Sequence, residues 1–492
     1  MPSRTIRLLF LFCLINFSNV LAQKPPNILL ICVDDLRTEL GCYGNKVVKS
    51  PNLDRLSSQG RLFDRHYVQV PTCGASRYAL LTGMRPVTRG HISNHISASL
   101  SENKKEETTP ESFVHHFRRN GYYTVGIGKI SHSPDGYVYG YGEEKSNQLE
   151  LPFSWDEPLC DTGGWGTGWN AFFAYSGHKN RTTLEKQVKP YESADVPDTG
   201  YPDGLNAELA LKKLNELKDK DDPFLLAVGF FKPHLPFTAP KKYWDMYNRE
   251  DIPLSPNPYI VKNMERNSLH KSGEFNGYAL GEEKAALGEP LSDGYARKLR
   301  HGYYACISYI DAQIGKLLDE LDKTGLSENT IVVVWGDHGW HLGDHTVWGK
   351  HTVFERALNS TLIMRIPGQD KPGVSTKAIT ETVDIYPTLT ELCGLPTIHG
   401  MHGKSLVPVL NNPKNGKDEV AYSYFKNSIT VRNDRYRFTK YFWKDGTSHE
   451  LYDHKQDPNE TVNIATTNPG MVEKMKPILD MGDTGLFDEL KQ

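Results

Sequence analysis

Two pairs of polar side chains, one of two aspartates and one of an aspartate and a histidine, follow short apolar runs of the chain. Asp34 and Asp35 follow the first run, and Asp337 and His338 follow the second after one glycine. Ligands of open α/β sheets collect at the carboxyl ends of the strands, so these residues are candidates for one site. Three carboxylates in one place repel each other unless a cation neutralises them, and oxygen ligands favour Ca²⁺ or Mg²⁺. The residues alone also allow a simpler interpretation, in which each pair caps a helix or forms a turn.

A third candidate is Cys73, which stands before a short helical pattern that reaches Leu81. A cysteine at the start of a helix has its thiol near the positive end of the helix dipole, which suits a reactive or modified group. The spacing of residues 71–77 alone is equally compatible with a buried structural cysteine. Both interpretations stay open at this point.

Continuous apolar runs indicate the strands that must position these groups. Residues 27–33, 224–231 and 331–335 are too short for helices and read as strands buried on both faces of a parallel sheet. A helix is predicted between such strands from apolar residues three and four apart, namely Ile307, Ile310, Ile314, Leu317 and Leu321. This alternation predicts an α/β fold with a mostly parallel sheet covered by helices on both faces.

Two regions depart from that alternation. Residues 135–202 are rich in Gly, Tyr, Trp, Ser and Asp without periodicity, which predicts long loops over the sheet. After about residue 396 the alternation stops, and short polar and aromatic runs around residues 434–443 predict a small antiparallel sheet with a terminal helix. We therefore predict a smaller C-terminal subdomain.

Composition excludes several classes of protein. The 492 residues are 38% hydrophobic and 24% charged, which is typical of a globular enzyme and not of a disordered chain. Lys and Arg number 57 against 60 Asp and Glu, so the chain lacks the basic excess that binding to nucleic acid requires. The cysteines show neither the tight pairs of a zinc site nor the density of a disulfide scaffold.

The N-terminus predicts export. Arg4 and Arg7 precede the apolar residues 8–17, and small residues that end at Ala22 complete the pattern of a cleaved signal peptide. The mature chain would begin near Gln23 and would be periplasmic or secreted. Because no other segment is long and apolar enough to span a bilayer, we expect no stable membrane association.

The residues around Cys73 then point to a family. The run Cys73-Gly74-Ala75-Ser76-Arg77, followed by Leu81-Thr82-Gly83, resembles the signature of the type I sulfatases, in which that cysteine is oxidised to formylglycine (3-oxoalanine). Further marks of the family follow in order over about residues 26–465, namely Asp34-Asp35, Gly128-Lys129, His132, Lys232-Pro233-His234, Asp337-His338-Gly339, Lys350, Gly403-Lys404-Ser405-Leu406, Glu450-Leu451-Tyr452-Asp453 and Asp457-Pro458.

One branch of the family is most similar. Residues 232–237, 337–340 and 342–345 resemble iduronate-2-sulfatase and its bacterial polysaccharide-sulfatase relatives. Many sulfatases have Asn where this chain has His338, and this difference favours the iduronate branch. The resemblance implies an alkaline-phosphatase-like sheet with a smaller C-terminal α+β subdomain. We divide the chain into a signal peptide (1–22), a catalytic domain (23–395) and a C-terminal subdomain (396–492).

The resemblance also implies the cofactors and the chemistry. One Ca²⁺ per chain would be held by a set comprising Asp34, Asp35, Asp337, His338 and the oxygen of modified residue 73. Hydrated formylglycine carries two hydroxyls on one carbon, so one can bind the cation while the other attacks sulfur and expels the sugar alcohol. The remaining hydroxyl then collapses to the aldehyde and ejects sulfate. A thiol could not perform this second step.

The remaining family residues receive roles in the same way. Arg77 would hold the formylglycine oxygen, and Lys129 and Lys350 would counter the charge of the sulfate in the transition state. His132 would steady the formylglycine, and His234 would protonate the leaving oxygen. Maturation requires a partner, either a formylglycine-generating enzyme or an anaerobic sulfatase-maturating enzyme.

We therefore predict an exported sulfatase that acts on a sulfated oligosaccharide or polysaccharide containing uronic acid, with algal ulvan the first candidate and glycosaminoglycans the second. Two alternatives remain open. One is a metal-dependent phosphoester or phosphonoester hydrolase of the same superfamily. The other is a non-catalytic protein that binds sulfated glycans. Rates on sulfate and phosphate esters of one phenol, together with assays of free sulfate, distinguish the three.

Overall fold

The computed structural model describes residues 24–102, 111–416 and 419–490. The predicted signal peptide, residues 1–22, lies outside the described residues. Among the helices that are described, none combines the length and the apolar character needed to cross a membrane. The six cysteines of the described ranges are all unpaired, namely Cys32, Cys42, Cys73, Cys160, Cys306 and Cys393.

Strands and helices alternate through most of the chain. The strands are β1 (Asn27–Val33), β2 (Arg61–Tyr67), β3 (Tyr123–Gly128), β4 (Glu157–Leu159), β5 (Tyr191–Ala194), β6 (Phe224–Phe230), β7 (Phe237–Pro240), β8 (Thr330–Gly336), β9 (His341–Leu342), β10 (Trp348–Gly349), β11 (Leu362–Arg365), β12 (Thr376–Glu381), β13 (Ala421–Phe425), β14 (Ser428–Arg432), β15 (Tyr436–Trp443) and β16 (Gly446–Asp453). The helices are α1 (Pro51–Gln59), α2 (Cys73–Thr82), α3 (Ile96–Ser101), α4 (Phe113–Arg119), α5 (Gly168–Phe172), α6 (Pro202–Leu217), α7 (Lys241–Trp244), α8 (Gly273–Asn276), α9 (Asp293–Thr324), α10 (Glu355–Leu358), α11 (Ile385–Leu392), α12 (Val407–Asn411) and α13 (Pro469–Asp480).

The main sheet has eight strands in the order β12-β2-β11-β8-β1-β6-β3-β4. Strands β8, β1, β6, β3 and β4 run parallel to one another, and β12 is parallel to β2. Only β11 among these eight is antiparallel to both of its neighbours. The predicted α/β class with a mostly parallel sheet is confirmed.

Helices cover both faces of this sheet, as predicted. All seven residues of β1 are buried, and alternate side chains enter two different cores. Leu29 and Ile31 pack in the core under α6 and α9, whereas Ile28 and Leu30 pack in the core under α2, α4 and α11. A strand with both faces buried needs apolar residues at every position, which explains the continuous apolar run.

The other sequence predictions of elements are also confirmed. The helical pattern from Ile307 to Leu321 lies in α9, and its five apolar residues are buried. Residues 135–202 contain the short elements β4, α5 and β5 and the 3₁₀ turns Gly163–Trp165 and Asp198–Gly200, and they are otherwise loops and turns up to the start of α6. These loops lie beside the functional residues described below.

A second, four-stranded antiparallel sheet follows, in the order β13-β14-β15-β16, with α13 packed on it. This confirms the predicted small sheet and terminal helix. Val68 and Ile379 of the main sheet region share an apolar cluster with Ala421 and Tyr441 of the small sheet. The domain boundary at residues 395 and 396 stays a prediction.

Candidate active site

Four adjacent parallel strands bring the predicted residues to one edge of the main sheet. The strands β8, β1, β6 and β3 are neighbours, and Val33 at the end of β1 is in register with Gly336 at the end of β8. Each strand is followed by candidate residues, namely Asp337 and His338 after β8, Asp34 and Asp35 after β1, His234 after β6, and Lys129 after β3. The carboxyl edge of the sheet is the expected place for a ligand.

Two glycines allow the ends of β3 and β6 to approach closely. Gly128 has a backbone φ of 72°, which favours glycine because other residues rarely adopt it. A Cβ atom at Gly229 would lie 2.1 Å from the carbonyl oxygen of Lys129. Without these glycines the strand ends would have to separate, and Lys129 would be displaced from the site.

Cys73 is the first residue of α2, as the sequence predicts, and it is buried. Its Sγ lies 3.4 Å from Asp34 Oδ1, 3.3 Å from His338 Nε2 and 3.3 Å from Lys350 Nζ. Arg77 follows one helical turn later, so it lies on the same face of α2. The helix thus presents Cys73 to the acidic strand ends.

Three carboxylates and three cations are buried together at this edge. The pairs are Asp34 with Lys129, Asp35 with Lys350 at 3.1 Å, and Asp337 with Arg77 at 3.0 Å. The backbone N–H of Asp35 also donates to Asp337 Oδ1 at 2.9 Å, which fixes the two strand ends relative to each other. The formal charges of the six side chains cancel, so a bound divalent cation would make the site positive and attractive to an anion.

The donor set fits a hard cation. The ligand atoms of Asp34, Asp35, Cys73 and His338 all lie within 4.8 Å of one another, and the four residues are buried. Asp337 adjoins this set, because its Oδ1 lies 3.6 Å from His338 Nε2. Carboxylate oxygens are the ligands that Ca²⁺ prefers, and an oxygen in place of the Cys73 sulfur would add one more.

Burial and neighbouring charges shift the pKa values of three groups at the site. Burial raises the pKa of Asp35 well above its usual range despite the nearby Lys350. Burial also acts to raise the pKa of Asp34, but the Lys129 ammonium outweighs it and holds that pKa well below its usual range. Burial, together with the Asp34 carboxylate, raises the pKa of Cys73 to about 12. The thiol is therefore uncharged near neutral pH and is a poor nucleophile.

His132 and His234 line a cavity of about 750 Å³ above this buried cluster. His234 Nδ1 donates to the carbonyl oxygen of Leu235 at 2.6 Å, and Nε2 lies 3.0 Å from Glu274 Oε1. With Nδ1 protonated, only the imidazolium form carries a second proton at Nε2, and burial lowers the pKa of His234 to about 4 despite the nearby Glu274 carboxylate. Nε2 is therefore the atom of His234 that can donate a proton into the cavity.

The structure places all ten sequence-predicted residues around one cavity. Cys73, Lys129, His132, His234 and Lys350 line it. The remaining five form its buried floor through the contacts given above, namely Asp34, Asp35, Arg77, Asp337 and His338.

Sequence reasoning missed several residues of the cavity wall. Glu274 contacts His234, and its Oε2 lies 3.7 Å from Lys350 Nζ. Arg181 and Lys186 add positive charge to the same wall. These residues lie in loops and in the one-turn helix α8, where neither periodicity nor a motif marks them.

A comparison with family models assigns the chain. The model described as Sulfatase matches residues 26–395, and the model described as N-sulphoglucosamine sulphohydrolase, C-terminal, matches residues 343–480. The chain belongs to the sulfatase family. It is therefore a sulfuric ester hydrolase, which confirms the predicted reaction class.

Individual relatives agree with this assignment. This sulfatase is 33% identical over 413 residues to iduronate 2-sulfatase of Mus musculus, with 76% of this chain and 70% of the mouse protein covered. It is also 33% identical over 469 residues to a sulfatase of Formosa agariphila, with 92% and 86% covered. The resemblance to the iduronate-2-sulfatase branch is confirmed.

Solved structures show the same fold. A phosphonate monoester hydrolase of Agrobacterium radiobacter superposes with a TM-score of 0.69 over 92% of this chain and 95% of the other, at 23% identity. At this identity the likeness shows the fold alone. The alkaline-phosphatase-like fold predicted for the sulfatase is confirmed.

Proposed function

We propose that this sulfatase removes sulfate from sugars of a uronic-acid-containing polysaccharide, using a formylglycine made from Cys73 and a bound Ca²⁺ ion. One observation supports it above the others. The Sγ atom of Cys73 lies within 3.4 Å of an acid, a histidine and a lysine, at the carboxyl edge of the sheet and at the floor of an open cavity. A buried neutral thiol has no nucleophilic use there, whereas an oxygen nucleophile at the same position does.

The ion would be held by the acidic strand ends, namely Asp34, Asp35, Asp337 and His338. When bound, Ca²⁺ neutralises sulfate oxygens and lowers the pKa of a hydroxyl that it contacts. Arg77 donates from Nε to Asp337 at 3.0 Å and so keeps that carboxylate oriented toward the other ligands. The chain supplies these groups already buried, so little reorganisation is needed.

Two lysines and one histidine act on the sulfate ester. Lys129 contacts Asp34 and Lys350 contacts Asp35, and their ammonium groups stabilise the negative charge that spreads over the sulfate. His234 faces the cavity with Nε2, beside Glu274, and donates a proton from that atom to the departing sugar oxygen when it is in the imidazolium form. His132 lies beside Gly74 at the start of α2, where it steadies the group made from Cys73.

The cavity supports an anionic sugar as substrate. Besides the two lysines assigned to the sulfate, Arg181 and Lys186 line it, together with the acids Glu185 and Glu274 and the aromatic ring of Tyr141. Such a wall pairs cations with the carboxylate of a uronic acid and offers apolar surface to a sugar ring. Ulvan and glycosaminoglycans both contain uronic acids and sulfated sugars, and we place ulvan first.

The substrate part of the proposal is tested by sulfate release. Protein produced with a formylglycine-generating enzyme is incubated with ulvan oligosaccharides, glycosaminoglycan oligosaccharides, and the sulfate and phosphate esters of one phenol. Ion chromatography should detect free sulfate from the oligosaccharides and far less phosphate than sulfate from the phenol esters. Cleavage of the aryl sulfate alone across the whole panel would defeat the polysaccharide proposal.

The modification is tested by peptide mass spectrometry. We expect the peptide containing Cys73 to lose about 18 Da on conversion of the thiol to the aldehyde. An active preparation in which Cys73 remains a thiol would contradict the formylglycine mechanism.

The same mass spectra test export, because a signal peptide cleaved after Ala22 leaves Gln23 as the N-terminal residue of the secreted protein.

A further inference from the structure

A second cavity, here called the distal cavity, lies beside the catalytic one. It has a volume of about 810 Å³, and its lining includes Lys179, Lys189, Tyr191, Trp244, Arg249 and Lys298. None of the groups assigned to catalysis lines it. Its size is in the range of ligand-binding clefts.

Three of the four cations that line the distal cavity have no carboxylate partner among the described residues. Across the described ranges of the chain, Lys179, Lys189 and Arg249 form no ion pair with a carboxylate. Lys298 is the exception among the cations, because its Nζ lies 2.6 Å from Glu282 Oε1. Three cations that lack an acidic partner in one concave surface attract an anion.

The two acids that line the distal cavity are already engaged. Glu192 accepts hydrogen bonds from the Ser176 backbone N–H and the Tyr201 hydroxyl, both at 2.7 Å. Asp245 pairs with Lys241 at 2.5 Å. Neither acid pairs with Lys179, Lys189 or Arg249, so the cavity keeps its excess of positive charge.

Aromatic rings form the apolar part of the lining. The rings of Tyr191 and Trp244 lie 6.2 Å apart at 57°, and Lys189 Nζ lies 5.8 Å from the centre of the Tyr191 ring. An apolar wall next to cations matches a sugar that carries sulfate or carboxylate groups, since the ring carbons pack on the aromatics while the anions meet the cations.

One chain segment separates the distal cavity from the catalytic cavity. Glu185 and Lys186 line the catalytic cavity, whereas Leu184 and Val188 line the distal one. Two residues of extended chain span at most about 7 Å, so the two linings are close together. The segment is held in place, because the carbonyl oxygens of Lys186 and Val188 accept backbone hydrogen bonds at 2.9 and 3.1 Å.

We infer that the distal cavity binds a second anionic sugar of the same polysaccharide chain from which sulfate is removed at Cys73. This inference rests on the proposed function and extends it. A substrate long enough to cross the segment at residues 184–188 contacts both cavities and binds more tightly than a short one. The enzyme therefore selects polymer length through a site that does no chemistry.

The test compares substrates of increasing length. The variant Lys189→Glu with Arg249→Glu reverses two cations of the distal cavity, and Lys46→Glu with Arg119→Glu makes the same charge change at exposed positions elsewhere. KM is measured for a sulfated disaccharide, an octasaccharide of the same polymer and an aryl sulfate. We expect wild-type KM to fall with chain length, and the distal variant to raise KM for the octasaccharide about tenfold without changing hydrolysis of the aryl sulfate.

Two results would overturn the inference: a wild-type KM that does not depend on chain length, or a distal variant that matches the exposed control on the octasaccharide. If no saccharide is hydrolysed at all, the proposed function fails separately. Binding then decides the inference by calorimetric titration of the octasaccharide into Cys73→Ala protein. A loss of affinity for the octasaccharide when Lys189→Glu and Arg249→Glu are added to Cys73→Ala supports the site. An unchanged affinity refutes it.

Discussion

Asp34, Asp35, Cys73 and His338 form one buried cluster whose spacing suits a metal ion, and Glu355, His454 and Glu460 form another among the described residues. The two clusters use similar residue types. They differ in their cationic partners and in their surroundings. The first lies at the floor of an open cavity and pairs with two lysines and, at 4.0 Å, with Arg77, whereas the second pairs with Arg432 and Arg437 of the small sheet.

The hydrogen bonds of the second cluster favour a structural role for it. Glu460 accepts from Arg437, from His454 Nε2 at 2.9 Å and from the backbone N–H of Glu355 at 2.8 Å. Arg432 Nε lies 3.2 Å from Glu355 Oε2. The carboxylate oxygens are thus occupied by fixed donors. Acid and histidine side chains become a reactive site only where the fold also leaves room for a ligand.

The largest expected effect is a loss of turnover when the first cluster is changed but not when the second is. Cys73→Ala should lower turnover of an aryl sulfate by at least about 10⁴-fold, because it removes the only nucleophile proposed at the site. The circular dichroism spectrum should remain that of the wild type. His454→Gln is the matched change in the second cluster and should keep kcat within about twofold. Sulfate release that persists in Cys73→Ala would contradict the assignment.

Removal of the proposed Ca²⁺ ion should have the next largest effect. A calcium chelator should inactivate the enzyme, and added Ca²⁺ should restore it. Asp34→Asn should lose one bound Ca²⁺ per chain by calorimetric titration and about 10³-fold in kcat, because a carboxylate ligand is lost. Glu355→Gln should bind Ca²⁺ as the wild type does. Equal loss of Ca²⁺ in both variants would remove the distinction between the clusters.

A substitution in the second cluster should lower the free energy of unfolding. Glu460→Gln leaves the buried Arg437 without its counter-charge and should lower the free energy of unfolding by about 3–5 kcal/mol in urea titrations. Glu473→Gln breaks an exposed pair with Lys476 and should cost no more than about 0.5 kcal/mol. A small effect of Glu460→Gln would show that the arginine pairs are not structural.

The same pair predicts the sign of a pH dependence. Burial acts to raise the pKa of Glu460, but Arg437 outweighs it, and the pKa lies below the ordinary value of 4.5. The stabilisation is therefore fully present above pH 4.5 and is lost as the pH falls below that value. Urea titrations at pH 7 and pH 4 should show a smaller difference between wild type and Glu460→Gln at the lower pH.

The smallest expected effect concerns Glu274, which the sequence did not mark. Glu274→Gln removes the charge next to His234 Nε2 and should lower kcat about tenfold with little change in KM, because it acts on proton donation and not on binding. Glu185→Gln, in the same cavity wall, should leave kcat within about twofold. A fall in kcat for both variants would indicate a general electrostatic effect instead.

Local sequence patterns predicted much of the fold and part of the site. The buried strands β1, β6 and β8 were identified because a strand covered on both faces must be apolar at every position. The acids after β1 and β8 followed from their place at strand ends. Lys129, His132 and Lys350 carry no such signal, and only the resemblance to a family selected them.

Other features depend on contacts between distant parts of the chain. No local pattern shows that β11 runs antiparallel to its neighbours, because direction is set by the connection and not by the residues of the strand. Glu274 and the lining of the distal cavity lie in loops whose positions are decided by what they pack against.

The sequence by itself therefore determined which segments are buried strands, which acids stand at their ends, and that Cys73 begins a helix. These properties depend on residues near one another in the chain. The tertiary structure alone decided that β8, β1, β6 and β3 lie side by side, that one acid cluster faces a cavity while another is closed by arginines, and that two cavities share one wall. Those outcomes require strand order and loop packing, which are set by contacts between residues hundreds of positions apart.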